Sequence, residues 1–306
     1  MQKKIVFMGT PEFSIQTLEK LALSDYKICC VYTQPQKKSS RGQKLKPSPV
    51  QKTAEKFSIE IRQPENLNDE KEYQYFKNLK AYIVVVVAYG KIIPKNFFKL
   101  AEKGFLNIHA SLLPKWRGAA PIQRSIINQD KVSGVSFMKI EEGLDTGPYM
   151  KQIKVNLDNQ ITTGDLSKKL SDIGANNILK CIELIENDQA IFVNQDNHEA
   201  TYAKKIIKSE SKIDWNEPAE NILSKINALN PSPGAWFFHL GERYKIWKAV
   251  VSDLSGEPSE VIDEKLTIAC KSKSLQIIEI QKEGKKRLTT GEFLAGNNIS
   301  IGQMVK

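Results

Sequence analysis

Tyr82–Gly90 reads YIVVVVAYG, a continuous apolar run closed by Ala88, Tyr89 and Gly90. An uninterrupted, largely β-branched run suits a strand buried on both faces, the place of a central strand in a parallel sheet. Outward from it, apolar runs alternate with helical patterns. Lys4–Met8 and Lys27–Tyr32 read as strands. Between them Ser14–Leu23 reads as an amphipathic helix that turns Ile15, Leu18, Leu21 and Ala22 inward, and a further helix is expected near Val50–Phe57. On the other side Ser136–Ile140 and Met150–Val155 read as strands, and the helix Thr163–Glu186 closes the domain. This alternation predicts an α/β fold with a doubly wound parallel sheet, whose ligands bind beyond the carboxyl ends of the strands. Four such ends carry distinctive loops: Gly9–Phe13, the stretch after Tyr32, Ala88–Gly90 and Asn107–Gly118. They are expected to cluster. No G-x-G occurs anywhere, nor a Walker lysine, G-x-S-x-G or H-E-x-x-H. Nucleotide cofactors, serine hydrolysis and zinc proteolysis therefore have no support.

The loaded strand end is Gly104–Gln123, GFLNIHASLLPKWRGAAPIQ. Asn107 and His109 are two residues apart, so on a strand they share a face and point into one volume. Alone, Asn107 reads as a turn cap and His109 as a satisfied core histidine. The polar loop that follows, fixed by Pro114, Gly118 and Pro121 and carrying Ser111, Lys115, Trp116 and Arg117, favours a site that stabilises an oxyanion at a carbonyl. A second loaded loop, Glu141–Pro148 (EEGLDTGP), puts three carboxylates and two glycines in a tight turn. By itself it is an ordinary turn.

The 306 residues are 41% hydrophobic and carry a net charge of +10. They can fill two domains. The positive balance calls for a polyanionic partner, nucleic acid or an anionic surface. No apolar run is long enough to cross a bilayer. The lysines before the first apolar run resemble a signal peptide only faintly, because Gly9-Thr10-Pro11-Glu12 ends the run. Cys29, Cys30, Cys181 and Cys270 have neither C-x-x-C spacing nor nearby histidine pairs, so no metal is expected and free thiols in a reducing cytoplasm fit best. The charge is uneven. Val31–Ala54 holds no acidic residue but carries Lys37, Lys38, Arg41, Lys44, Lys46 and Lys52. Its core, QPQKKSSRGQKLKPSP, lacks periodicity and reads as a loop, either a solvated tail or a contact to a phosphate backbone.

Asn-x-His followed by SLLPKWRGAAPIQ resembles the signature of the folate-dependent formyltransferases, and most specifically of the methionyl-tRNA formyltransferase family. The resemblance extends to Thr33-Gln34-Pro35, Arg41-Gly42 and Lys44-Leu45-x-Pro47-Ser48-Pro49-Val50, and to the helix beginning at Thr163. It continues at Thr201-Tyr202-Ala203-x-Lys205, Ile213-Asp214-Trp215 and Asn230-Pro231-x-Pro233-Gly234-Ala235. It implies a Rossmann-like catalytic domain over residues 1–189, a linker over 190–207, and an OB-like β-barrel that binds tRNA over 208–306. It also implies formyl transfer from 10-formyltetrahydrofolate to the α-amino group of initiator methionyl-tRNA, by a cytoplasmic enzyme for which nothing suggests more than a monomer. Asn107 and His109 would stabilise the oxyanion, and Asp145 would stand in the position of the family's essential aspartate, with Glu141 replacing an earlier aspartate of that loop. The folate would lie against Val87, Ala88, Tyr89 and Gly90 and against Ser111, Leu112, Leu113 and Pro114. The basic stretch with Lys37, Lys38, Arg41, Lys44 and Lys46 would enter the acceptor arm of the tRNA. Arg117 would either anchor its loop or contact phosphate or substrate. Lys271, Lys273, Lys282, Lys285, Lys286 and Arg287 in the last third would serve the tRNA backbone or merely a soluble surface. Asn227 stands where the family usually has an arginine, which puts one phosphate contact in doubt. A transferase for a small amine, such as a sugar nucleotide or glycinamide ribonucleotide, would share the three catalytic residues but not need the basic segments.

Overall fold

The computed structural model describes residues 3–39, 44–297 and 299–306. The chain runs β1 (Lys4–Gly9), α1 (Ile15–Ala22), β2 (Lys27–Tyr32), β3 (Lys37–Ser39), β4 (Lys44–Lys46), α2 (Pro49–Lys56), β5 (Ile61–Arg62), α3 (Glu70–Leu79) and β6 (Ile83–Val87). It continues with β7 (Phe105–His109), β8 (Arg117–Gly118), α4 (Pro121–Ile127), β9 (Val132–Lys139), β10 (Tyr149–Asn156), α5 (Thr163–Glu186) and β11 (Tyr202–Ala203). The last third holds α6 (Ala219–Ala228), β12 (Ala235–His239), β13 (Glu242–Ser252), β14 (Thr267–Ala269), β15 (Ser274–Lys282), β16 (Leu288–Thr289) and α7 (Thr290–Leu294).

Contacts divide the chain into two compact units. The first comprises Met1–Pro121, Ser133–Val155 and Ser167–Ala203; the second comprises Ile122–Val132, Asn156–Leu166 and Lys204–Lys306. The first unit is built on a seven-stranded sheet in the order β10-β9-β7-β6-β1-β2-β5. β1, β2, β5, β6 and β7 are parallel, and β9 runs antiparallel to β7. β6 is buried at all five positions, as its apolar run requires when both faces are covered. Phe76 of α3 packs on one face with Val6, Met8, Val84 and Val86. On the other face, Gly174 of α5 lies so close that a Cβ there would sit 3.1 Å from Ile108. The strand order reverses between β1 and β6, which makes that junction the topological switch point where open α/β sheets bind ligands.

The basic stretch differs from expectation. β3 and β4 pair antiparallel, Lys37 opposite Lys46 and Ser39 opposite Lys44. The base of this ribbon is closed from outside it. The Thr33 and Ser48 hydroxyls hydrogen-bond at 2.7 Å, and Gln36 Nε2 donates to Gln51 Oε1 at 3.3 Å. Ser48 also caps α2 by accepting from Gln51 N. With both ends held together the chain between them can return on itself, and a two-stranded ribbon needs no apolar face to show in the sequence.

The second unit holds an antiparallel sheet in the order β12-β13-β15-β14, with β16 on β15. β12 buries alternate residues. Ile222, Ile226, Phe237, Ile246, Ile268, Leu275, Ile277 and Phe293 form its core. Asn227 is buried, and its amide donates to Asn159 O at 2.9 Å. Here that position pins backbone rather than offering a cation. Among the described residues no helix is long and apolar enough to cross a membrane. The four cysteines are free thiols, and burial pushes Cys181 up to about 11 and Cys270 up to about 12.

Candidate active site

Three of the four strand-end loops are tied to one another. The Thr10 hydroxyl donates to Tyr89 O at 2.9 Å, and Gln34 N donates to Thr10 Oγ1 at 3.3 Å. Gln34 Nε2 then spans Tyr89 O at 3.0 Å and Gly90 O at 2.9 Å. Ala88 and Gly90 are exposed with φ of 48° and 75°, the left-handed turn that ends β6, while the Tyr89 side chain plunges into the core and leaves its hydroxyl without a partner.

The fourth loop follows β7. Asn107 and His109 lie on the face of β7 opposite Ile108, at 8% and 6% exposure. The Asn107 amide engages no hydrogen-bond partner among the described residues. Its donors are therefore available to a ligand. The loop beyond is held from β9 and β10. Ser136 Oγ donates to Ser111 O at 2.6 Å and accepts from Leu113 N at 3.0 Å. Gln152 Nε2 donates to Leu113 O at 2.7 Å and to Ser136 Oγ at 2.9 Å. The Ser111 hydroxyl donates to Lys115 O at 2.6 Å, so of the residues expected at the folate its side chain is committed to shaping the loop. Leu113 is buried, with Leu112 and Pro114 half-buried.

Trp116, Arg117 and Gly118 carry the polar architecture. Trp116, at φ 61°, offers its carbonyl to His109 Nε2 at 3.0 Å. A carbonyl only accepts, so Nε2 bears a proton. Nδ1 faces Asp145 Oδ2 at 3.7 Å, too long for a direct hydrogen bond. With Nε2 protonated, that contact is attractive only when Nδ1 carries a proton as well. Asp145 Oδ2 also accepts from Gly118 N at 2.8 Å. Asp145 has φ 53°, a left-handed conformation that costs a non-glycine residue on the order of 1 kcal/mol or more and persists only where its surroundings impose it. Arg117 is buried at 2% exposure, its Nε donating to Gln195 Oε1 and its Nη2 to Asn197 Oδ1, both at 2.9 Å. It pairs with no carboxylate among the described residues. Of its two expected roles, loop anchoring is the one these bonds perform. Tyr202 and Ala203 add a short parallel strand beside Arg117 and Gly118.

The expected catalytic trio is thus brought together. Lys46 is exposed on β4, whereas Arg41 lies outside the described residues, as do the side chains of Lys37, Lys38 and Lys44. In the second unit Lys273, Lys282 and Arg287 are neutralised by Glu220, Glu242 and Glu279 at 2.7, 2.7 and 3.1 Å. Lys271, Lys285 and Lys286 are exposed without an ion pair among the described residues. Two clefts of about 280 and 430 Å³, beside Leu223 and beside Phe98 respectively, contain none of the trio.

Residues 3–182 match the family described as formyl transferase, and residues 205–298 match formyl transferase, C-terminal domain. A methionyl-tRNA formyltransferase of Pelagibacter ubique (strain HTCC1062) is 51% identical over 307 residues, covering 100% of this chain and 99% of its own. The chain belongs to the methionyl-tRNA formyltransferase family. A methionyl-tRNA formyltransferase of Chelativorans sp. (strain BNC1) is 41% identical, with 99% of each chain covered. The crystal structure of an N-formyltransferase from Helicobacter canadensis, in complex with folinic acid and dTDP-3-aminofucose, superposes with a TM-score of 0.68 at 20% identity. It covers 92% of this chain and 100% of its own. The methionyl-tRNA formyltransferase of Clostridium thermocellum gives 0.58 at 17% identity, covering 82% and 94%. At these identities the two structures speak to the fold alone. Within this methionyl-tRNA formyltransferase family member, sequence reasoning missed Gln195 and Asn197. Both lie in a polar stretch that reads as linker, and only their place just before Thr201-Tyr202-Ala203 hinted at more.

Proposed function

We propose that this chain transfers a formyl group from 10-formyltetrahydrofolate to the α-amino group of initiator methionyl-tRNA, with Asn107, His109 and Asp145 as its catalytic residues. The observation that carries this reading is an amide with free donors, Asn107, two residues from an imidazole that faces a carboxylate. It occurs in a chain half identical, end to end, to a methionyl-tRNA formyltransferase. Attack of the neutral amine on the formyl carbon creates an oxyanion and an ammonium. The Asn107 amide donates to the oxyanion. The ammonium proton passes to Asp145, directly or through a water, and the imidazolium of His109 protonates the departing folate nitrogen. The proton then returns from Asp145 to His109, so the enzyme ends as it began. Free α-amino groups titrate near 7.7–8.0, so no strong base is needed.

Val87, Ala88, Tyr89, Gly90, Ser111, Leu112, Leu113 and Pro114 are the residues proposed to hold the folate. The ribbon of β3 and β4, with Lys37, Lys38, Arg41, Lys44 and Lys46, would take the acceptor arm of the tRNA. The second unit, read as an OB-like barrel, would take its backbone through unpaired cations such as Lys271, Lys285 and Lys286. We take the enzyme to act as a cytoplasmic monomer. The test is incubation with 10-formyltetrahydrofolate and either charged initiator tRNA or small amines, including amino-sugar nucleotides, followed by detection of N-formyl product. Formylation of a small amine but not of charged tRNA would overturn the reading in favour of a small-amine transferase.

A further inference from the structure

We propose that Gln195 is a positioning residue for Asp145, a role that rests on the formyl-transfer reading above. Gln195 Nε2 donates to the carbonyl of Asp145 at 2.8 Å and to that of Gly147 at 2.7 Å. One amide nitrogen thus uses both of its hydrogens to bracket the turn that contains the carboxylate. Its oxygen accepts from Arg117 Nε at 2.9 Å. Because a guanidinium only donates and a carbonyl only accepts, the amide has one permissible orientation. Flipping it would set its oxygen against two carbonyls and its nitrogen against a donor.

The consequence is that Asp145 is held at both ends. Gly118 N grips its carboxylate, and Gln195 grips its carbonyl in the left-handed conformation that aims that carboxylate at His109. Both grips originate in one tripeptide. Trp116 fixes His109, Arg117 fixes Gln195, and Gly118 fixes Asp145. Gly118 itself has φ 119°, and a Cβ there would meet Ala203 O at 2.9 Å. The tripeptide therefore cannot shift without moving the strand beside it. An imidazole and a carboxylate that exchange a proton need their separation held to within a few tenths of an ångström. Asp145 stands just beyond direct hydrogen-bond reach of His109, at 3.7 Å, where that control matters.

Gln195→Glu separates this role from a merely structural one. A carboxylate at 195 keeps, and strengthens, the bond to Arg117, but it has no hydrogen to give the two carbonyls. We expect Q195E to lower kcat about tenfold to a hundredfold. KM for the formyl donor and for methionyl-tRNA should stay within about threefold, and the acid limb of the kcat–pH profile should move by about half a unit or more. The melting temperature, read in parallel, should fall by no more than about a few degrees. Should Q195E not fold, Gln195→Met removes the same donors in an uncharged side chain of similar length. Asp145→Asn run alongside keeps the two readings apart. If the unaltered protein transfers formyl to tRNA and D145N does not, while Q195E matches the unaltered protein in kcat and pH profile, the positioning role is wrong and the function stands. A loss of kcat that merely follows a loss of melting temperature, with the pH profile unmoved, overturns it equally. Failure of the unaltered protein to formylate tRNA overturns both.

Discussion

Ile83–Val87 in the first sheet is buried at five consecutive positions, whereas Ala235–His239 in the second is buried at every other one. The central strands of the first sheet, β6 and β7, are buried at every position, so they have no side to offer water, and the candidate site lies at their ends. In the second, β12 and β13 keep exposed or half-buried side chains along their length. Under the proposed function that difference divides the labour, with precise chemistry at strand ends of the first sheet and a broad electrostatic contact over the second.

The sharpest way to break this comparison is to put the same insult into each sheet. Val85→Asp buries an unpaired carboxylate in a strand with no free face, and should cost about 4 kcal/mol or more, enough to leave little folded protein in a urea titration. Lys248→Glu, exposed on β13, should change stability by no more than about 0.5 kcal/mol. Equal costs would mean the two sheets do not differ as described. Next in size are the strand-end residues. Asn107→Ala, His109→Ala or Asp145→Asn should each lower kcat about a hundredfold or more, close to 3 kcal/mol of transition-state stabilisation, at nearly unchanged stability. Near-normal turnover in any one removes that residue from the mechanism.

A smaller effect tests the second unit. Arg124 hydrogen-bonds through two nitrogens to Glu210, at 2.6 and 3.1 Å, and holds that carboxyl below its ordinary value of 4.5. A folded value depressed in this way means the stabilisation is complete above about pH 4.5 and is lost as pH falls through the folded value. Glu210→Gln should therefore cost about 1–2 kcal/mol at pH 7, with the gap from the unaltered protein closing toward about pH 3. A gap independent of pH would rule out the ion pair as its cause. The smallest effect concerns Tyr89, whose buried hydroxyl has no partner among the described residues. Tyr89→Phe should be neutral or stabilising by up to about 1 kcal/mol, and a loss beyond that would reveal a partner for the hydroxyl.

What could be read in advance followed from periodicity and from local chemistry. The strand at Lys27–Tyr32 and the long helix Thr163–Glu186 coincide with their expected bounds because the apolar spacing in each is unambiguous. Asn107 and His109 could be paired because residues two apart on one strand share a face. Other features left no such mark. α3 buries only Glu72 and Phe76 and is set by the Asp69 cap on Lys71 N, so its amphipathic stripe is faint. The ribbon of β3 and β4 is closed by Thr33 and Ser48, residues outside it, and its own residues show charge but no strand periodicity. Gln195 lies 50 positions from the carbonyl it holds at Asp145. A lone glutamine in a polar stretch carries no sign of so distant a partner.

The assignment of Ile122–Val132 and Asn156–Leu166 to the second unit has a practical consequence for dissecting this protein. The chain passes from one unit to the other five times, so neither unit is a single continuous segment. A cut after Ala203 would free a C-terminal fragment without the Asn159 carbonyl that Asn227 grips or the Thr163 hydroxyl that donates to Ala228 O at 2.7 Å. It would leave Ile122–Val132 and Asn156–Leu166 on the other piece, parted from the rest of their unit. Fragment studies would therefore report on damaged halves. Questions about either unit are better put to the uncut chain, one substitution at a time.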